Sequence, residues 1–395
     1  MKKLMILAVA AIALVACSKT FNTANNEGTA IGFGTWTETM TKNITDPRTA
    51  GSGTFGVGDS FAVYGYKETT SPAAKVTVFD DVAVEMTATG VPGTWTYSPI
   101  RFWDKNYDQY TFFAISPSSV GTQADGENDS SVNVNPQDGS FTTRTITFDG
   151  NNSDILVADK KTVAKANYSS SAVQMDFNHV ASWVDFKVNK APNLTNATVT
   201  VSAFALSNIQ TAGRLSVSNA YNVTTFAGDG TTGPAVSWSS TATGGYNTGN
   251  GVTPVSLTSP IEISEDTAFN PASPTTPAAA TFLINTLIVK PQSFTAPTTR
   301  ATPADASNDG AQRITITYQI AVANGGTNEY TATLWLSDFD TVNDDSAVPN
   351  EQAKVGSWDP GKHYTFYITL DATPIAFGAS IHDWNTGNGY HYLVK

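Results

Sequence analysis

The sequence predicts an all-β protein built from antiparallel β-sandwiches, and three observations carry that expectation. Apolar and polar residues alternate with period two in many short runs, Gly, Pro, Asn and Asp separate those runs, and no amphipathic stretch is long enough to compete as a helix. Only 14% of the 395 residues are charged, and Thr, Ser, Ala, Asn and Gly stand where a helical protein would carry Lys and Glu.

In chain order, Phe61, Val63 and Gly65 face one way in the 60–66 run, with Ala62, Tyr64 and Tyr66 on the other side. The 110–115 run stops at the turn signal Ser116-Pro117. Val173, Met175 and Phe177 alternate with polar partners, and the pattern continues through Trp183–Val188. Ile314, Ile316, Tyr318 and Ile320 form a further stripe, then Tyr330, Ala332, Leu334 and Leu336, then Tyr364, Phe366, Ile368 and Leu370. Residues 282–289 are nearly all apolar and read as a strand buried on both faces. Three stretches rich in Gly, Ser, Thr or Pro read as loops: 227–251, 270–280 and 291–310.

The N-terminus carries a separate signal. Lys2 and Lys3 precede an apolar stretch from Leu4 to Ala16, too short for a permanent span but suited to a secretory signal. It ends in Leu14-Val15-Ala16-Cys17, a lipobox, whose chemistry needs a thiol to alkylate and small side chains before it. Cys17 is the only cysteine, so it is the lipidation candidate and no internal disulfide can form. Several acyl chains on that residue would anchor the protein stably. The expected organisation is a signal peptide over 1–16, a lipid-anchored segment over 17–53, an N-terminal sandwich over 54–168 and a C-terminal sandwich over 169–395. The boundary rests on Lys160-Lys161 and the small polar run 167–171.

Catalytic chemistry is sparse. His179, His363, His382 and His391 show no zinc spacing, and neither a G-x-S-x-G elbow nor a phosphate-binding glycine loop occurs. The loop beginning Asp305-Ala306-Ser307 resembles a calcium loop but carries Ile316 where the bidentate Glu belongs. No catalytic residue, metal or cofactor is therefore expected. The net charge of −12 argues against nucleic acid as a partner. Tryptophans such as Trp95, Trp103, Trp183, Trp335, Trp358 and Trp384 lie in or beside expected strands, where core packing is their default role.

The lipobox, Phe61–Tyr66, Trp95-Thr96-Tyr97 with Trp103, Tyr110–Ala114, Asp154–Ala158, Phe177-Asn178-His179-Val180, Leu287–Gln292 and Trp358–Tyr364 follow one another along the chain. In this order and spacing they resemble the fimbrillin and Mfa-like superfamily of Bacteroidota fimbrial proteins. The resemblance implies two tandem transthyretin-like sandwiches; within it His179 reads as a histidine bonded at a strand end, with a structural role. It also implies a pilin exported as an outer-membrane lipoprotein, from which an arginine-specific protease removes the first strand. The opened groove then takes a C-terminal strand from another fimbrial subunit, by strand addition.

On this chain the removable strand falls at Ala30–Gly34, with Ile31 and Phe33 on one face, and the protease candidate is Arg48. The donor candidates are Ile375, Phe377 and Ile381, then Tyr390, Tyr392 and Val394 after a turn-rich break. The alternative is a tip or non-polymerising surface lipoprotein that binds glycans or host proteins.

Overall fold

A computed structural model describes residues 28–35, 55–88, 93–121, 133–134, 140–148, 154–194, 196–217, 236–240, 260–263, 281–298, 310–323, 325–339, 354–372 and 376–383. The chain is all-β. Among the described residues, helix is confined to a single turn at Ser118–Gly121 and short 3-10 turns such as Lys165–Asn167 and Leu336–Asp338. No helix among them is long and apolar enough to cross a membrane.

The largest sheet runs Phe177–His179, Leu156–Ala158, Gln109–Ser116, Ser60–Thr70, Ala73–Ala88, Thr94–Thr96, with Lys161–Ala164 also on Gln109–Ser116. Its pairings are antiparallel. The alternation expected for 60–66 is present, and both of its faces are buried. Phe61 and Val63 enter one core with Phe79, Phe112, Leu156 and Phe177. Ala62, Tyr64 and Tyr66 enter a second core with Phe113, Phe141, Val157 and Leu215. Strand 109–116 is divided the same way, Tyr110 and Phe112 against Phe113 and Ile115.

The second core is closed by a smaller sheet in the order Val236–Ser240, Ala212–Val217, Phe141–Thr147, Asn133–Val134. Strands from either side of residue 169 therefore share sheets: Ala212–Val217 pairs with Phe141–Thr147, and Phe177–His179 pairs with Leu156–Ala158. Val236–Ser240 lies inside the 227–251 stretch expected as loop. Its Trp238 packs against the second core, with its indole N–H donating to the Val180 carbonyl at 2.8 Å. Gln292–Ser293, inside the third expected loop, pairs with Ser357–Trp358.

A third core lies between two four-stranded sheets. One is ordered Ile261–Ile263, Ala197–Ser207, Arg313–Val322, Thr327–Trp335, and the other Thr281–Val289, Ser182–Lys190, Lys362–Leu370, Ala376–Asp383. The stripes Ile314, Ile316, Tyr318, Ile320 and Tyr364, Phe366, Ile368, Leu370 face each other across it, as their alternation requires. Leu287 and Val289 point into this core and Ile288 into the second, so this strand is covered on both faces. One feature departs from the antiparallel expectation. Ser182–Lys190 and Lys362–Leu370 pair in parallel at the centre of their sheet, and Phe33–Thr35 and Val173–Met175 form a two-stranded parallel pair.

Candidate functional site: the groove around residues 28–35

Segment 28–35 lies between two walls. On one side Ala30 bridges Phe102 in antiparallel fashion, the Trp103 N–H donating to the Thr29 carbonyl and the Ile31 N–H to the Arg101 carbonyl, each at 2.9 Å. On the other, Phe33, Gly34 and Thr35 run parallel to Val173, Gln174 and Met175, and the Val173 N–H donates to the Gly32 carbonyl at 2.8 Å. Alternation sends Ile31 and Phe33 into the first core, at 1% and 4% exposure.

The floor is aromatic. The Phe33 ring sits edge-on to Phe61, Phe79, Tyr97 and Phe112, with centroids 5.3 to 6.4 Å apart. That is a favourable geometry for ring quadrupoles. Beneath the backbone the Tyr97 hydroxyl donates to the Ile31 carbonyl at 2.7 Å. Burial pushes the Tyr97 hydroxyl above its ordinary range, so it remains a donor at neutral pH.

The glycines set the clearance. A Cβ at Gly34 would come within 3.0 Å of the Gln174 side chain, whereas one at Gly32 would meet Ala172 only at 3.7 Å. Position 34 is thus tight and position 32 admits a methyl group.

The two walls are joined to each other without segment 28–35. Trp103 stacks on Tyr168 at 4.7 Å and 10°, and its indole N–H donates to the Ser169 carbonyl at 2.8 Å. It also meets Tyr110 edge-on at 4.9 Å. The sequence pattern points Trp103 to a core, and nothing local in it marks Trp103 or Tyr97 as part of a groove. The aromatic cluster 95–103 was visible, but its pairing with 168–175 has no local signature.

Of the other expected site residues, Cys17, Arg48, Ile375, Tyr390, Tyr392 and Val394 lie outside the described residues. Phe377 and Ile381 lie on the edge strand Ala376–Asp383, opposite Ile368 and Tyr364 of Lys362–Leu370.

Two histidines sit in polar contacts away from the groove. The buried His179 imidazole Nδ1 pairs with the Asp154 carboxylate. His363 Nε2 lies 2.8 Å from Asp185 Oδ2, with the Trp183 ring stacked on the imidazole at 4.1 Å and its indole N–H on Asp185 Oδ1. Among the described residues no group of three or more His, Cys, Asp or Glu is placed to hold a metal ion.

No curated protein matches the chain. Among solved structures it is similar to a fimbrial protein from Bacteroides vulgatus, at 16% identity and TM-score 0.48, covering 90% of this chain and 99% of that one. It is also similar to the C-terminally truncated tip fimbrial protein Mfa3 from Porphyromonas gingivalis, at 10% identity and TM-score 0.31, covering 83% and 95%. A sequence profile matches residues 47–384, beginning just ahead of Arg48 and leaving segment 28–35 upstream. That match spans most of the sequence, and by it the chain belongs to the fimbrillin-like family.

Proposed function

We propose that the protein is a non-enzymatic structural subunit of a fimbrium, made as a lipoprotein anchored through Cys17 in the outer membrane. It assembles with other fimbrial subunits by strand exchange once segment 28–35 has been cut away at Arg48. One observation carries the reading: Ile31 and Phe33 fill an aromatic pocket whose walls are joined through Trp103 independently of the segment that fills it. A strand that only decorated the surface would bury neither side chain. A strand integral to the sheet would itself hold the walls together.

Removal would expose the faces of Phe61, Phe79, Tyr97 and Phe112, and free the Arg101 carbonyl and the N–H groups of Trp103 and Val173. Unpaired backbone groups beside an empty apolar slot bind an alternating strand. Each large side chain that fills the slot contributes roughly 1.5–3 kcal/mol.

The test is to treat the purified full chain with an arginine-specific protease and follow it by native gel and electron microscopy. Ladders and filaments are expected from the unaltered chain and monomers from Arg48→Ala. Clean cleavage at Arg48 that leaves only monomers would favour the surface lipoprotein that binds glycans or host proteins.

A further inference from the structure

The groove's occupant and a segment near the C-terminus are written in nearly the same residues. Thr29-Ala30-Ile31-Gly32-Phe33-Gly34 stands against Thr373-Pro374-Ile375-Ala376-Phe377-Gly378. We propose that the donor is this second segment from another copy of the same chain, in one fixed register: Ile375 in the place of Ile31 and Phe377 in the place of Phe33. The proposal rests on the strand-exchange reading and adds to it the partner and the register.

The two differences between the segments fall where the groove tolerates them. Ala376 stands for Gly32, the position at which a Cβ meets Ala172 at an ordinary 3.7 Å. Gly378 stands for Gly34, where a Cβ would crowd Gln174 at 3.0 Å, and there the residue is unchanged. Pro374 stands for Ala30. The two bonds flanking the Ala30–Phe102 bridge use the Thr29 carbonyl and the Ile31 N–H, so a proline, which lacks an N–H, keeps both. Ala30 is exposed, which leaves room for the ring. The match ends at the next residue back. Ala372 in the place of Gly28 would bring a Cβ within 2.7 Å of the Phe102 Cβ.

The donor's root and the groove's mouth are also suited to each other. Asp371 is held to the C-terminal core, its carbonyl accepting from the Tyr318 hydroxyl at 2.7 Å and its carboxylate from the Asn193 amide at 3.0 Å. In the exchanged register the donor would leave its own subunit just after Asp371, and Thr373 would take the place of Thr29 at the groove mouth. Two large apolar side chains are exposed there, Ile100 at 49% and Phe102 at 53%. A subunit body brought so close by a short root would cover both. In its own sheet the segment's described part, Ala376–Asp383, is an edge strand, so it can leave without breaking an interior pairing.

The test starts from the full chain opened by an arginine-specific protease, with assembly followed by native gel and electron microscopy. A synthetic peptide of residues 371–383 is expected to stop filament growth. The same peptide with Phe377→Asp should be at least about tenfold weaker, from the loss of one buried aromatic anchor, and a peptide of residues 384–395 should be inert. These arms leave the protein unaltered, so folding defects cannot mimic the result. In the chain itself, with Cys17→Ala removing the only native thiol, Gln174→Cys combined with Gly378→Cys should give an intersubunit disulfide in filaments. Gln174→Cys with Ser380→Cys should not. Filaments that are indifferent to the 371–383 peptide, or cross-linked only through residue 380, would overturn the register and leave strand exchange standing. No filaments and no peptide capture would overturn both.

Discussion

Tyr97 ties segment 28–35 to the stretch 97–101 through one oxygen: its hydroxyl donates to the Ile31 carbonyl at 2.7 Å and accepts from the Arg101 N–H at 3.2 Å. Replacing it with Phe keeps the ring against Phe33 and Phe79 but leaves that carbonyl and that N–H without their shared partner. The expected cost is about 1–3 kcal/mol, concentrated on segment 28–35. Hydrogen exchange at Ile31 should accelerate in Tyr97→Phe while amides of the Lys362–Leu370 strand keep their protection.

Phe33→Ala removes the residue with the most aromatic contacts in the segment and leaves a cavity among four rings. The loss should be about 3–5 kcal/mol, read as a lower urea midpoint at unchanged slope. Ala30→Ser, at an exposed position of the same segment, should fall within about 0.5 kcal/mol of the parent.

High pH should unfold the protein through its buried tyrosines. Burial raises the hydroxyls of Tyr64, Tyr97 and Tyr364 above the ordinary value near 10. The folded state thus holds protons that the unfolded chain releases. The associated stability is complete below about pH 10 and is lost as pH rises toward the folded values. Chemical denaturation between pH 8 and 11 should show a steady fall above 10, and a shallower one in Tyr364→Phe.

Gly213 sits where the Ala212–Val217 strand crosses close to Lys290, and an added Cβ would collide with the Ser239 carbonyl and the Lys290 Cε. Gly213→Ala should destabilise by about 1–3 kcal/mol through overpacking. Restoration of thermal stability by Lys290→Ala in the same chain would show only partial relief, because the Ser239 backbone remains in the way.

Cys17→Ala should abolish incorporation of labelled fatty acid and leave the signal segment uncleaved or misprocessed. Unchanged membrane fractionation with the same label uptake would remove the lipoprotein proposal.

Much of the strand pattern was legible because alternation is a local property. Ile314 to Ile320 and Tyr364 to Leu370 lie in the core as their spacing demands. The burial of both faces of Ser60–Thr70 was less legible. Tyr64 and Tyr66 are amphipathic, and their rings lie under a sheet contributed by Phe141–Thr147 and Ala212–Val217, far away in sequence. Strand direction carries no residue signature, so the parallel pairings could not be read. Ile31 and Phe33 stood out because glycines flank them. Their walls did not, since Arg101–Trp103 and Val173–Met175 are joined only by tertiary contacts such as Trp103 on Tyr168.

The parallel pair at the centre of the last sheet has a consequence for how the molecule comes into being. Asn189 and Thr369 bond side chain to side chain across 180 residues of chain, and their two strands are neighbours along their whole length. No local hairpin can stand in for that pairing, so the third core cannot close until Lys362–Leu370 has been synthesised. Contacts of such long sequence separation make folding slow. Until then the strands of that core remain a thread, the form in which a polypeptide can pass through a narrow channel before it acquires its shape.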